Sequence, residues 1–274
     1  MKEAIQHHTS SEVSSVGYSL RYIKPGTDTL SHIDFAHRDD YFMFGLIVQG
    51  RLRCTIDFQH YDLSLDSIVV VSPQQVHRFI SGNGIEGFML LADPGLVDDR
   101  LRRLFDEIEM LQTPVFQAGD YTDLKVLFEL ISRQENKSVG KNLVKAYIGM
   151  IVDKISHQIS GCLRSSDRKK ELMFRFRNLL RANITKERRP AYYADQLNIS
   201  NVYLNEIVNS LSGCSASRFI KNEIILMAKR ELYYSGENIK TIAGKLGFDD
   251  SAYFTRLFSE TAGISPTEFR RNLV

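Results

Sequence analysis

Between about residues 19 and 92 the apolar positions come in short β-branched and aromatic runs; beyond residue 120 they recur at helical spacing. The early runs are "YFMFGLIVQG", "LRCTIDFQHYDL", "DSIVVVSP", "VHRFIS" and "GFMLLAD", punctuated by Gly50, Pro73, Gly82, Asn83, Gly84 and Pro94. This pattern predicts several short strands folded into a sandwich or barrel. Leu124, Leu127, Phe128 and Ile131 follow the i, i+3, i+4, i+7 rule of a helix. A second helix is predicted over about 139–163, with two apolar sides. One carries Leu143, Tyr147, Met150 and Ile151, the other Val144, Ile148, Val152 and Ile155. One side can pack on the strands; the other needs either a neighbouring helix or a second subunit, and spacing does not choose between them. Residues 160–170, "SGCLRSSDRKK", are polar and basic and form the linker candidate. The remainder reads as helices.

Within that remainder a pattern occurs twice. "ADQLNISNVYLNEIVNSLSGCSASRF" and "AGKLGFDDSAYFTRLFSETAGISPTEF" align with an offset of about fifty residues, the second turn being one residue longer. Ala194 matches Ala243, Leu197 matches Leu246, Ile207 matches Leu257, Val208 matches Phe258, and Phe219 matches Phe269. Such self-similarity marks two copies of one supersecondary unit. In each copy a short helix ends at a residue suited to left-handed backbone, Asn198 or Gly247. Ser200 and the pair Asp249–Asp250 then offer N-caps to the next helix, which is expected to bury Tyr253, Phe254, Leu257 and Phe258. Two short helices joined by such a turn form a helix-turn-helix, whose second helix fits the major groove. The two units are expected at about 190–212 and 238–262, joined by a helix over about 216–234. A structural helix pair in a bundle is the alternative.

Charge supports the nucleic-acid reading. The net charge is +2, but residues 164–274 carry 19 Lys and Arg against 12 Asp and Glu, leaving −5 on residues 1–163. A length of 274 residues suits two domains. Apolar runs are too short to span a bilayer, the polar N-terminal arm is not a secretory signal, and a cytoplasmic protein is expected. Cys54, Cys162 and Cys214 lie far apart, which argues for reduced thiols and against a disulfide framework or zinc site.

Residues 190–271 resemble the DNA-binding domain of AraC-type (AraC/XylS) transcription regulators. The resemblance rests on Gly247-Phe248, Tyr253-Phe254, Phe258, Gly263, Ser265-Pro266 and Arg270. It implies two domains. Residues 1–163 would hold an N-terminal arm, a cupin-like barrel at about 19–95 and helices at about 98–163 that dimerise. Residues 164–274 would be the all-α DNA-binding domain. Base contacts would then come from Asn201, Val202, Asn205, Glu206 and Asn209 in the first recognition helix, and from Ser251, Ala252, Thr255 and Arg256 in the second. Arginine can bind guanine bidentately, asparagine adenine, and glutamate a cytosine amino group. Ser259 and Glu260 stand where family members often carry a basic residue, and the first recognition helix has no cation. Phosphate contacts are therefore sought in Arg188, Arg189, Arg218, Lys221, Lys240, Lys245 and Arg270.

The resemblance also implies a small-molecule effector in the barrel beneath the N-terminal arm, with RNA polymerase as a partner. Candidate pocket residues are Tyr41, Phe42, Phe44, Arg53, Phe58, His77 and Phe79. Of the histidines in this stretch (His32, His37, His60 and His77) none forms an HxH pair, and no glutamate lies between Ser14 and Gly84. No metal, cofactor or catalysis is therefore expected. A cupin enzyme with a helical tail and a ligand-independent DNA binder remain the rivals.

Overall fold

A computed structural model of the chain describes residues 7–8, 17–25, 38–96, 104, 105, 108, 114–117, 122–134, 140–160 and 167–272. They fall into two units, one within Ile5–Cys162 and the other within Leu163–Val274.

The first unit is built on β2 (Tyr18–Ile23), β4 (Phe42–Ile56), β5 (Gln59–Leu63), β6 (Ser67–Val71), β7 (His77–Ala92) and β8 (Val115–Gln117), with the two-residue strands β1 (His7–His8) and β3 (Arg38–Asp39) pairing in parallel. The larger sheet is antiparallel, in the order β2-β7-β4-β6-β8 with β5 on β4. Among the described residues this is an open path rather than a ring closed by hydrogen bonds. β4 and β7 span 15 and 16 residues, and their mutual register shifts at Ile47/Gln49, Gln49/Arg51 and Arg53/Cys54. Such bulges bend a strand. The first half of β4 accordingly pairs with β6 and the end of β7, and the second half with β5 and the start of β7.

Side chains alternate across a strand, and both faces of this sheet are covered. Met43, Ile47, Val69, Val71, Met89 and Leu91 join Cys54, Ile56 and Phe79 in one buried cluster. On the other face Phe42 lies 4.5 Å from Phe105, and Phe88 lies 5.7 Å from Phe128. Phe128 belongs to α1 (Thr122–Ser132), whose Leu124, Leu127, Phe128 and Ile131 are all buried. In α2 (Gly140–Ser160), Val144, Ile148, Val152 and Ile155 are buried together with Ile151, whereas Leu143 and Met150 stay 41% and 51% exposed. One side of this helix thus packs within its unit and the other lies at its surface.

The second unit comprises α3 (Asp167–Asn183), α4 (Pro190–Gln196), α5 (Asn201–Ser212), α6 (Ala216–Tyr234), α7 (Ile239–Lys245), α8 (Ser251–Ala262) and α9 (Pro266–Asn272). The linker expected over 160–170 is corrected at its end: residues 167–170 form the first turn of α3, while 161–166 lie outside the described residues. The helix forms because Leu172, Met173, Phe176 and Leu180 make a buried stripe. Phe176 meets the Tyr193 ring edge-on at 5.4 Å and lies 5.9 Å from Phe219. Full burial of one such side chain contributes about 1.5–3 kcal/mol. Among the described residues no helix is long and apolar enough to cross a membrane.

Candidate nucleic-acid interface

Each predicted turn closes in the same way. In the first, the Ile199 N–H donates to Ala194 O and the Asn198 N–H to Asp195 O; in the second, the Phe248 N–H donates to Ala243 O and the Gly247 N–H to Gly244 O. This Schellman pattern requires a left-handed residue after the helix, and φ is 55° at Asn198 and 78° at Gly247. The next helix starts on a side-chain cap. Ser200 Oγ accepts from the Tyr203 N–H, and Asp250 Oδ1 from the Ala252 N–H at 2.8 Å. Ala194 and Ala243 are buried where the helices cross, and Leu204, Ile207, Val208, Phe254, Leu257 and Phe258 fill the interior. Tyr253 departs from the expectation of burial: it is 45% exposed, because its ring lies over Phe248 at the surface.

The outward residues divide into two groups. Asn201, Val202, Asn209, Ala252 and Arg256 are exposed, while Ser251 and Thr255 are half-buried, the Thr255 hydroxyl donating to Ser251 O. Val202 is 80% exposed, an unusual placement for a branched apolar side chain. The Arg256 guanidinium sits 5.5 Å from the centroid of the Tyr253 ring, which gives it a platform. Glu206 is held by Lys169 of α3 at 2.6 Å. Asn205 has a structural task, since its Oδ1 accepts from the Ala216 N–H at 3.0 Å and caps the start of α6. Bidentate pairing with adenine uses that same oxygen, so this cap competes with the base contact expected of Asn205.

The candidate phosphate contacts divide as well. Arg218, Lys221 and Lys240 are exposed. Arg189 pairs with Glu187 at 2.6 Å and Lys245 with Glu237 at 2.7 Å. Arg270 donates to Leu232 O and Ser235 O, closing the C-terminal end of α6. Arg188 is turned into the domain, donating to Leu246 O and Gly247 O with its guanidinium 3.8 Å from the Phe248 ring centroid. Burial lowers the pKa of Arg188 from its ordinary value. Arg188 and Arg270 thus both cap helix ends within the domain. These partners lie 35 to 59 residues away in the chain, beyond any local pattern. The role of Lys169 was missed for the same reason.

Bonds from the Arg189 guanidinium and the Arg189 and Arg188 N–H groups hold the Glu187 carboxyl down at about 2. Burial pushes the Tyr193 phenol up to about 12, and its hydroxyl donates to Glu187 O.

In the first unit, the expected pocket residues divide between the two sheet faces and the surface, with His77 and Phe79 beside one gap. Tyr41 and Phe79 belong to the buried cluster of one sheet face, whereas Phe42 and Phe44 belong to the other face, against Phe105. Arg53 is an exposed residue paired with Asp62 at 2.7 Å. His77 is buried 3.3 Å from Asp39 Oδ2. The gap among Met43, Cys54, Val69, Val71, His77 and Phe79 is too narrow for a water molecule. An open cleft of about 600 Å³ lies instead near Arg51, Arg53, Asp62 and Asn83. Among the described residues no group of three His, Cys, Asp or Glu is arranged to hold a metal ion. The N-terminal arm, apart from β1, lies outside the described residues.

Two family models match the two units: an AraC-like ligand binding domain at residues 17–138 and a helix-turn-helix domain at residues 193–272. The uncharacterized HTH-type transcriptional regulator YfiF of Bacillus subtilis (strain 168) is 23% identical over 277 residues, covering 94% of this chain and 85% of that protein. The HTH-type transcriptional activator RhaR of Yersinia pseudotuberculosis is 31% identical over 71 residues, 26% of this chain and 24% of that protein. A solved structure of ToxT from Vibrio cholerae aligns with a TM-score of 0.48 at 15% identity, over 93% of this chain and 98% of that one. With a ligand-binding domain matched ahead of the paired helix-turn-helix units, the chain belongs to the AraC family of transcription regulators.

Proposed function

We propose that this chain is a cytoplasmic, sequence-specific transcription activator that places α5 and α8 in successive major grooves on one face of DNA, about 34 Å apart. The observation that carries this reading is the pair of capped helix-turn-helix units, each with a buried apolar side and an exposed face at the start of its second helix. Asn201, Val202, Glu206 and Asn209 read the first block; Ala252, Thr255 and Arg256 read the second, with Ser251 at the helix start. Arg256 takes a guanine, and Val202 meets a thymine methyl, the apolar group of the major groove. Arg218, Lys221 and Lys240 supply phosphate contacts, helped by Arg189 and Lys245. With no Lys or Arg in α5, one protomer binds modestly, and a homodimer adds the missing affinity through effective concentration. The exposed Leu143 and Met150 of α2 and Val126 of α1 favour a second copy there. Activation follows the name borne by RhaR, and RNA polymerase is the corresponding partner. No residue is assigned a catalytic role.

An effector acting through the first unit is supported by its match to a ligand-binding family model. The narrowness of the gap beside His77 and Phe79 favours a second reading, a ligand-independent regulator whose sheet domain is a dimerisation scaffold. Selection of bound fragments from random duplex DNA by the full chain tests the main reading. A motif with two blocks one helical turn apart supports it; recovery of no motif with or without metabolite extract defeats it. A thermal shift on adding such extract separates sensor from scaffold.

A further inference from the structure

We infer that Arg188 is a positioning residue that fixes the second recognition helix relative to the first, by tying the loop ahead of α4 to the turn between α7 and α8. This rests on the reading of α5 and α8 as the two DNA readers.

A short helix leaves its last carbonyls without intrahelical donors, and those carbonyls carry the negative end of the helix dipole. At the end of α7 two carbonyls, Leu246 O and Gly247 O, receive the Arg188 guanidinium. The same group covers the Phe248 ring at 3.8 Å. One nitrogen, Nη2, donates to both carbonyls while the guanidinium plane covers the aromatic face; a lysine ammonium has donors but no plane to lay on the ring.

Backbone packing backs the side-chain contact. A Cβ on Gly247 would lie 1.7 Å from Thr185 O, so the loop after α3 runs directly against the turn of the second unit. The loop is itself held in shape. Glu187 accepts from the Arg188 and Arg189 N–H groups, and the hydroxyl of Tyr193, a fully buried residue of α4, donates to Glu187 O. A continuous path therefore runs from α4 through Glu187 and Arg188 to Phe248, whose ring lies 5.2 Å from that of Phe254 in α8.

The two units are also linked by α6, pinned at one end by Asn205 and at the other by Arg270. Both units pack on the buried side of α6, which sets their separation. A second link off the axis of that helix braces their relative angle as well. Two recognition helices bind blocks at a fixed helical phase only when both distance and angle are set, and a rigid pair then engages the second block at high effective concentration.

The test uses the full chain and a duplex carrying the selected two-block site, with the spacer at its natural length and at one base pair more or less. Binding is measured by fluorescence anisotropy over a salt series for the wild type, Arg188→Ala and Arg188→Lys. The wild type is expected to reject altered spacers about tenfold or more. Both variants are expected to narrow that discrimination to about threefold or less, with an unchanged salt slope. Arg188→Lys keeps charge and length and is the variant to read if thermal melting shows that Arg188→Ala unfolds. Retention of wild-type spacer discrimination by Arg188→Lys overturns the inference. So does uniform weakening on all spacers with a shallower salt slope in Arg188→Ala, which marks a phosphate contact. A wild type indifferent to spacing removes the two-reader interpretation itself, and the inference with it; the wild-type arm alone reveals that case.

Discussion

The two helix-turn-helix units have one architecture and different surroundings. Both close their turn with the same two backbone bonds and start the next helix on a side-chain cap. The first turn places Asn198 in an exposed position, where the left-handed conformation is the main demand on the side chain. The second turn is pressed against the loop carrying Thr185 and Arg188, so its left-handed residue also has no room for a Cβ. The outward faces differ too: the first offers a protruding Val202 among amides, and the second offers Arg256 on an aromatic platform. A repeated motif therefore keeps its local geometry while neighbouring elements set which residues its turn and its reading face can tolerate.

Substituting the two turn residues exposes this contrast most sharply. Gly247→Ala is expected to cost about 3 kcal/mol or more, combining left-handed strain with displacement of the 185–189 loop. Asn198→Ala is expected to cost only about 1–2 kcal/mol. Urea denaturation of the full chain checks both, and equal costs would erase the distinction between the turns. Arg256→Ala is next: a loss of about 1–3 kcal/mol confined to sites carrying one particular base pair. Equal weakening on every sequence would make Arg256 a phosphate contact. Val202→Ala is expected to lose about 1 kcal/mol of binding. Replacing one thymine by deoxyuridine should weaken the wild type by a similar amount and leave the variant unaffected, because both changes remove the same methyl contact.

The smallest effect concerns pH. The Glu187 carboxyl titrates at about 2 in the folded chain, below the usual carboxylate value of about 4.3. A depressed folded value means the charged form is favoured by folding. Its contribution is present above about pH 4.3 and is lost as pH falls toward 2. Glu187→Gln should flatten this part of the melting-temperature profile. An unchanged acid limb would mean the carboxylate does not hold the loop.

Much of this was legible in the sequence, for identifiable reasons. Short β-branched and aromatic runs bounded by turn residues located the sheet strands, and the period-3.6 pattern located the buried stripe of α1, since side-chain direction is set by local backbone geometry. The caps Ser200 and Asp250 and the left-handed positions Asn198 and Gly247 were readable because each acts on backbone within a few residues of itself. The doubled motif, with Gly247-Phe248 and Ser265-Pro266, pointed to the family that the domain matches support. The face of α2 that remains exposed was visible only as one of two apolar sides. Local patterns could not assign Asn205, Arg188 and Arg270, three polar residues placed on the DNA surface by spacing and resemblance. Asn205 meets a backbone partner in the next helix, and Arg188 and Arg270 meet partners far along the chain. The sequence by itself determined which segments become helices and strands and where they turn, because those choices depend on short-range sterics and on apolar periodicity. Only the tertiary structure decided which exposed-looking polar groups are spent inside the domain, because a helix end's unpaired backbone groups take whichever donor or acceptor the fold brings to them.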